Sequence, residues 1–337
     1  MHILRLVLRR LLLALPILFG MLLFTFLLVR VGSNDPVGLL AGPTASAEEV
    51  AAIRKQLKLD QSPLVQFGEF ARRVTRGDLG QSWLSGKPVW GELASRLPAT
   101  LELVILGGLI GGIAGVAAGL RAAFHPNGWF DQASRVVSLA GFGMPTIFLG
   151  LVAIFVFFYL LGWAPPPMGR IDLLLTSPPT ITGSYAIDSA LAGDWEAARS
   201  ALARLVLPVL CVAIVFAAPL IKQTRAIARD VLASDYVRYA RAAGLPPAVV
   251  KSIVRRNAAV PVLTFGTTEF IALFGIASVL ELIFSWGGIS QFGLVAVLKG
   301  DFAVVQGYVL FMSVIAMIVF ALADAVVLMI EPRAGLR

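Results

Sequence analysis

Six apolar runs constrain how this chain can fold more than any other feature of its sequence. They cover residues 11–29, 101–120, 142–161, 205–221, 262–284 and 304–329. Each is close to the ~20 apolar residues that a helix needs to cross a lipid bilayer. The chain is 58% hydrophobic and only 14% charged, against ~25% charged residues in soluble globular domains. We therefore predict an all-α integral membrane protein with six transmembrane helices.

The first apolar run follows Arg5, Arg9 and Arg10 and so raises the question of a secretory signal peptide. The run is too long for one, and the cleavage-like motif Ala-Ser-Ala lies about sixteen residues beyond its end. We therefore expect an uncleaved first helix. The resulting division has an N-terminus and first helix at residues 1–30, an external segment at 31–98 and a transmembrane core at 99–337.

Basic residues are concentrated on one side of the six predicted helices. The N-terminus, residues 121–135, residues 222–256 and the C-terminal tail carry 15 Lys and Arg but four Asp and Glu, whereas the rest carries 13 and 16. Because cytoplasmic loops are enriched in Lys and Arg, this bias predicts cytoplasmic termini and a cytoplasmic loop at residues 222–261. The formal net charge of +8 thus follows topology and indicates no nucleic-acid-binding face.

The sequence contains no recognisable catalytic, nucleotide-binding or metal-binding motif. The nearest match to a phosphate-binding loop is GQSWLSGKP at residues 80–88. Five residues rather than four separate its glycines, and Pro88 stands where a Ser or Thr should hold magnesium. The motifs H-E-x-x-H and G-x-S-x-G are absent, and the chain has one cysteine and two histidines. We expect no enzymatic activity, no metal and no cofactor on this chain.

One acidic residue lies well inside an apolar run. Glu269 is about one third of the way along the fifth run, where an unpaired charge is expensive. Glu102, Glu281 and Asp324 lie near the ends of runs, where we expect headgroups and water to reach them. Glu269 is therefore the candidate pathway residue, and a role in helix packing or at an interface is an equally good interpretation.

The second run carries a glycine at every fourth position. Gly107, Gly111, Gly115 and Gly119 would form a stripe along one side of a helix. In lipid, such a stripe allows another helix to approach closely. The stripe predicts a helix-packing face, which is either an ordinary contact or an interface that slides near a translocation pathway.

A polar, basic stretch, SDYVRYARAAGLPPAVVKSIVRRNAAVP, lies at residues 234–261 between two apolar runs. Helical spacing would give it one small-and-aromatic face, made of Tyr236, Tyr239, Ala240, Ala243 and Gly244. Gly244 suits the left-handed position that ends a helix, and Pro246 and Pro247 prevent that helix from continuing. A second helix would run from about residue 248 to 257. Such a corner either docks into a groove on another protein or anchors to anionic lipid.

The same stretch resembles the cytoplasmic loop of permeases of binding-protein-dependent ABC importers, specifically the first permease of dipeptide and oligopeptide systems. The family pattern reads D-Y-[IV]-x-x-A-R-A-K-G-L, followed by a helical stretch that ends in R-N-A-x-x-P. The matching residues are Asp235, Tyr236, Ala240, Arg241, Ala242, Gly244, Leu245, Arg256, Asn257, Ala258 and Pro261. Ala243 replaces the common Lys, Pro246 a common Ser and Ile253 a frequent His, and the pattern of helix, corner and helix is kept.

The resemblance covers nearly the whole chain. The family's first span, external segment and short tail are similar to RRLLLALPILFGMLLFTFLLVRV, GDLGQSW and EPRAGLR. The turn before the last span and the approach to that span are similar to ELIFSWGG and GDFAVVQG, with Gly287 in place of a usual Pro. Residues 162–195 fit the longer loop of the dipeptide branch, whereas GSNDP departs from the usual P-G-D-P.

The resemblance implies the six-helix fold of type I ABC importer permeases, with a sizeable external segment after the first helix. It also implies a permease subunit in the bacterial inner membrane that forms half of a pathway for short peptides. A coupling helix at about residues 235–247 would contact a cytoplasmic ATPase. The residues implied in that contact are Asp235, Tyr236, Tyr239, Ala240, Arg241, Ala242, Ala243, Gly244 and Leu245.

The implied partners are a second, similar permease in a heterodimer, two ATPase subunits that bind ATP and Mg, and an external solute-binding protein. Other family substrates, such as glutathione, nickel complexes or haem, remain open. An autonomous secondary transporter that uses Glu269 would need paired broken helices in matching halves. An intramembrane enzyme would need a constellation of nucleophile, base or metal ligands. The resemblance and the missing nucleotide-binding loop favour the importer.

Overall fold

The computed structural model describes residues 16–27, 46–56 and 61–331, and these residues are mostly helical. The predicted all-α fold is confirmed, since extended pairing in this part of the chain is limited to one isolated bridge between Gln81 and Pro88. The helices are α1 Pro16–Leu27, α2 Ala47–Gln56, α3 Pro63–Thr75, α4 Val89–Phe124, α5 Trp129–Gly143, α6 Thr146–Ala153, α7 Tyr185–Leu191, α8 Trp195–Ala233, α9 Asp235–Ala242, α10 Pro247–Ile283, α11 Ile289–Lys299 and α12 Phe302–Ile330.

Four helices in the described residues, α4, α8, α10 and α12, are long and apolar enough to cross a membrane. Helices α5 and α6, with the π-helical segment Ile154–Leu160 that continues α6, meet the same criterion together as one broken span. Helix α1 is apolar but shorter. The remainder of the first predicted span, residues 11–15 and 28–29, lies outside the described residues.

The third predicted span, residues 142–161, is not the straight helix that its apolar run suggested. Helix α5 ends at Gly143, helix α6 begins at Thr146, and the two are bent by 105°. Met144 is extended because a following proline disfavours the helical conformation, and Pro145 has no backbone N–H to continue the helix. The third span is therefore interrupted at Pro145.

Two other helices are longer than predicted and pass through prolines. Helix α8 has 39 residues and contains Pro208 and Pro219, and it continues well beyond the predicted span 205–221. Helix α10 has 37 residues and contains Pro261, so the predicted separate helix at residues 248–257 is instead the first part of the fifth span. A proline removes one backbone hydrogen bond, and packing against neighbours can hold a long membrane helix across that loss.

Helix α8 is the centre of the compact unit formed by the described residues of 97–291 and 322–337. It packs against α5, α7 and α10, and its most apolar window is 61% buried. Most of its buried side chains are apolar, among them Leu207, Val212, Phe216 and Leu220. Because α8 is covered on several sides, it is the element against which the others are positioned.

The described residues of 1–96 and 292–321 form a second compact unit. Its apolar centre contains Phe26, Phe70 and Leu310. The buried carboxylate of Asp301 accepts hydrogen bonds from the Ser82 hydroxyl, at 2.5 Å, and from the Leu84 backbone N–H, at 3.2 Å. These bonds tie the turn before α4 to the start of α12.

Candidate functional site

The polar corner between α8 and α10, residues 234–250, is called the elbow below. It begins where Ser234 leaves the helical conformation, with φ −66° and ψ 152°. The Ser234 hydroxyl donates a hydrogen bond of 2.6 Å to the Val231 carbonyl oxygen at the end of α8. Helix α9 then starts at Asp235, whose negative charge is favourable at the positive end of a helix dipole.

Helix α9 ends in a complete Schellman motif. Gly244 has φ +74°, so the predicted left-handed position is confirmed. The Leu245 N–H donates to the Ala240 carbonyl at 3.1 Å, and the Gly244 N–H donates to the Arg241 carbonyl at 3.0 Å. Pro247 occupies the first turn of α10, as predicted. Local backbone chemistry therefore determines the shape of the corner.

Apolar packing anchors the elbow to the rest of the molecule. Val237 and Val254 are fully buried and, together with Val250, pack against Ala123 of α4 and Ala228 of α8. Ala240 is also buried, at 4% exposure. Branched aliphatic side chains of this kind pack without flexible polar groups, so the elbow has a firm base on three helices.

The opposite side of the elbow is exposed and is called its outer surface below. It consists of Tyr236, Tyr239, Ala242, Ala243, Gly244 and Leu245. Tyr239 is 76% exposed, and no atom lies within 4 Å of the position that a Cβ would take at Gly244. Charged groups border this surface, and the exposed pair Asp235 and Arg238 forms an ion pair. Of the residues implied in the ATPase contact, all except Ala240 are exposed.

The glycine stripe of α4 lies directly against α8. A Cβ at Gly119 would lie 2.7 Å from the Thr224 Cβ, and a Cβ at Gly115 would lie 2.9 Å from the Leu220 Cβ. Gly107 and Gly111 face α8 in the same way. The backbones are so close that only glycine fits, and the stripe holds α4 against the helix that leads into the elbow.

A buried ion pair links α5 to α8 on the side of the elbow. Asp131 is fully buried and is bound by the Arg225 guanidinium, with a second contact of 3.0 Å between Arg225 Nη2 and Asp131 Oδ2. The Asn127 backbone N–H also donates to this carboxylate, at 3.0 Å. Sequence reasoning counted both charges only as indicators of topology, although an acid in so basic a region was a signal of pairing.

Two acidic residues near the ends of spans, Glu281 and Glu102, are fully or largely buried, contrary to expectation. Glu281 is fully buried, receives a hydrogen bond from Thr100 and accepts the Gln291 N–H at 2.7 Å. Glu102 pairs with Arg170 at 3.3 Å and accepts the Ser184 hydroxyl at 2.6 Å. Their partners come from segments distant in the sequence, which is why position along a run did not reveal the burial.

The 162–194 segment contains a second set of charged contacts. The Leu174 N–H donates to the Asp172 carboxylate at 3.0 Å, and Arg204 binds the same carboxylate at 2.9 Å, so the pKa of Asp172 lies below its ordinary value. Burial of Asp188 favours its neutral form. Hydrogen bonds from the Thr182 hydroxyl and from the backbone N–H groups of residues 181–183 outweigh that effect, and the pKa of Asp188 is also lowered.

Glu269 is half-buried on α10. Within the residues that the structure describes, no hydrogen bond or ion pair involves its carboxylate. A role in the pathway and a role in helix packing or at an interface therefore both stay predictions. The same residues contain no group of three or more His, Cys, Asp or Glu side chains placed to hold a metal ion.

Comparisons with known proteins extend over most of the chain. Residues 115–335 match the family described as binding-protein-dependent transport system inner membrane component, and residues 3–104 match its N-terminal region. The di/tripeptide transport system permease protein of Pseudomonas aeruginosa is 35% identical over 327 residues, 96% of this chain and 97% of that protein.

Two relatives from Escherichia coli show a similar likeness. The probable D,D-dipeptide transport system permease protein of strain K12 is 35% identical over 318 residues, 94% of this chain and 93% of that protein. The glutathione transport system permease protein of strain CFT073 is 33% identical over 327 residues, 97% of each chain.

Proposed function

The chain belongs to the family of binding-protein-dependent transport system inner membrane components, and we propose that it imports short peptides under the control of its elbow. Membership makes it a permease subunit of an ABC importer, in which ATP is hydrolysed on separate subunits. The chain is thus a multi-pass protein of the inner membrane. The Lys and Arg bias supports the finer proposal that its termini and elbow are cytoplasmic.

The elbow supports the proposal of a docking site for the ATPase. Its outer surface exposes Tyr236, Tyr239 and Leu245 around a shallow region of Ala and Gly. Exposed apolar patches, and aromatic side chains such as Tyr in particular, are characteristic of surfaces that another protein covers. Ala240 is buried and is therefore left out of the surface that we propose the ATPase contacts. The apolar anchors beneath can transmit a displacement of the elbow to α4, α8 and α10.

The proposed assembly contains this permease, a second similar permease, two ATPases and an external solute-binding protein. ATP and Mg would bind to the ATPases. Their closure would favour one arrangement of the two permeases through different contacts at the elbows, and a population shift of this kind needs such a difference in contacts. The outer surface is the observation that carries the proposal, because it is exposed while the opposite side of the elbow is packed against three helices.

Replacement of Gly244 tests the docking site. In the complete transporter we expect Gly244→Trp to abolish co-purification of the ATPases and ATP-driven uptake, with normal membrane insertion. The variant places a large side chain on the outer surface and a residue other than glycine at φ +74°. Gly193→Trp is the matched control, because Gly193 has φ +76° and equally open surroundings but lies outside the elbow.

A second variant separates docking from backbone strain. Tyr239→Ala leaves the backbone conformation unchanged, and we expect about tenfold weaker binding of the ATPases, the effect of losing a central aromatic contact. Wild-type ATPase binding and uptake by both Gly244→Trp and Tyr239→Ala would contradict the proposed docking site. Uptake that persists without ATP would instead support a secondary transporter.

The substrate proposal rests on the relatives. Two of those described above are named for dipeptide or di/tripeptide transport, and one is named for glutathione. We expect proteoliposomes that contain the complete transporter and its binding protein to accumulate a labelled dipeptide when ATP is supplied. An excess of unlabelled glutathione should leave that uptake unchanged; accumulation of glutathione in preference to the dipeptide would overturn the choice of substrate.

A further inference from the structure

A groove between α4 and α10 is not used by the proposed mechanism. It has a volume of about 780 Å³. One part is apolar and is lined by Ile113, Val116, Leu120 and Phe124, with Gly112 and Ala117 between them. Ile113 is 65% exposed, so the groove is open along the side of a membrane-spanning helix.

The other part of the groove is basic. Its polar lining consists of Arg121, His125, Lys251 and Arg255. Lys251 Nζ lies 5.5 Å and Arg255 Cζ 5.9 Å from the centre of the Phe124 ring, so both cations are drawn to the same place from α10. The lining contains no acidic residue. The chemistry of this end favours an anionic ligand.

The dimensions of the groove match one leaflet of a bilayer. From Gly112 to Arg121, α4 rises by ~14 Å at ~1.5 Å per residue, and half of the hydrocarbon core is ~15 Å thick. The basic end is the one that the Lys and Arg bias places at the cytoplasmic surface. Polarity along the groove therefore follows the order of a phospholipid, from headgroup to acyl chain.

We propose that this groove binds one anionic phospholipid of the cytoplasmic leaflet. Lys251, Arg255 and Arg121 bind its phosphate and any further headgroup charge, and an acyl chain lies along Ile113 and Val116. Basic pockets between membrane helices on the cytoplasmic side are suited to such headgroups. A soluble anion would leave the apolar part of the groove uncovered, so the lipid accounts for both parts. The proposal relies on the cytoplasmic orientation proposed above and is otherwise independent of the ATPase docking site.

The groove adjoins the base of the elbow. Phe124 and Leu120 line the groove and also pack against the apolar cluster that contains Val237, Val250 and Val254. A bound lipid neutralises the cations around Phe124 and fills the space beside it. The lipid is therefore expected to stabilise the base of the elbow.

The test compares two double variants of the complete transporter in nanodiscs of phosphatidylglycerol and phosphatidylcholine. We expect native mass spectrometry to show that the wild type retains phosphatidylglycerol preferentially. Lys251→Gln/Arg255→Gln should weaken this preference by about fivefold for each charge removed. The matched control, Arg229→Gln/Arg256→Gln, removes two exposed charges from α8 and α10 that do not line the groove and should keep the wild-type preference.

In the nanodisc experiment, two results would overturn the proposal. One is equal retention of both lipids by the wild type; the other is an unchanged preference in Lys251→Gln/Arg255→Gln.

A separate measurement examines whether the second permease covers the groove. Cys211 is buried, so Ile113→Cys adds an exposed thiol, and efficient crosslinking of that thiol to the second permease would assign the groove to the interface between permeases. A thiol that reacts with a maleimide-bearing lipid and leaves the second permease unmodified supports the lipid site.

Discussion

The elbow and the 162–194 segment are both polar connections between membrane spans, but different forces hold them in place. The anchors of the elbow are apolar: Val237, Ala240, Val250 and Val254 face inwards, and its charged side chains Asp235, Arg238 and Arg241 are exposed. Its shape comes from backbone hydrogen bonds at Gly244. Its outer surface is therefore not covered by the part of the chain that the structure describes.

The 162–194 segment is anchored by charges instead. Arg170 pairs with Glu102 and lies 4.0 Å above the ring of Tyr185. Arg204 pairs with Asp172, and the Asp188 carboxylate accepts hydrogen bonds from backbone N–H groups of the loop that precedes α7. Its charged groups are used within the chain, whereas several exposed side chains, such as Leu174 and Trp163, are apolar.

The difference between apolar and ionic anchoring indicates how each connection responds to a displacement or to the loss of a side chain. Apolar packing has no fixed direction, so the elbow can move together with the three helices against which it packs. A buried ion pair tolerates one geometry, and the loss of one partner leaves the other charge uncompensated. The elbow is thus suited to motion and the 162–194 segment to a fixed position.

The largest effect on stability is expected from the ionic anchor. Arg170→Ala leaves Glu102 without its cation in a largely buried position, and we expect a loss of about 3–5 kcal/mol. Thermal unfolding of the purified protein in detergent measures the change. Arg199→Ala is the control, because Arg199 is exposed on α8 nearby and its loss should have little effect. Equal unfolding temperatures for the two variants would remove the distinction between the regions.

A smaller loss is expected from the apolar anchor. Val254→Ala removes two buried methyl groups from the base of the elbow and should reduce stability by about 2 kcal/mol. Because we propose that the base transmits motion, we also expect a lower ratio of uptake to ATP hydrolysis. Val249→Ala, at a position 42% exposed, is the control for both measurements. A normal ratio in a destabilised Val254→Ala variant would separate the base of the elbow from coupling.

The smallest effect is a response to acid that is confined to the 162–194 segment. The pKa of Asp188 is lowered in the folded protein from 3.8, so its contribution to stability is complete above that value and is lost as the pH falls through the folded pKa. Hydrogen exchange, corrected for intrinsic rates, should show residues 181–188 losing protection below about pH 4. Asp188→Asn should abolish this step, and protection at residues 237–250 should not show it. Loss of protection at the same pH in both the 162–194 segment and the elbow would contradict the proposed difference between them.

Local sequence was sufficient for features that depend on a few neighbouring residues. Apolar runs predicted the four long spans and the broken one. The Gly-Leu-Pro-Pro order predicted the corner, since Gly244 and Pro247 act through their own backbone geometry. Prolines within spans were less informative. Pro145 breaks its span and Pro261 does not, so the presence of a proline alone does not indicate whether a span is interrupted.

Contacts between distant residues could not be read from local patterns. Asp131 and Arg225 are 94 positions apart, and Thr100 and Glu281 are 181 positions apart. Their burial depends on which helices meet, and a single sequence does not indicate that. The glycine stripe predicted a close helix contact, and the structure identifies α8 as the helix that faces it.

The sequence by itself determined that the protein lies in a lipid bilayer, that its fold is all-α and that the elbow turns at Gly244. Apolar run length and backbone stereochemistry act over short distances, so a local pattern was enough. The tertiary structure decided that Ala240 faces inwards while Tyr239 faces outwards, that Glu281 is sealed, and that Lys251 and Arg255 share one groove with α4. Each of these depends on two helices that are far apart in the chain and adjacent in space, so packing alone established them.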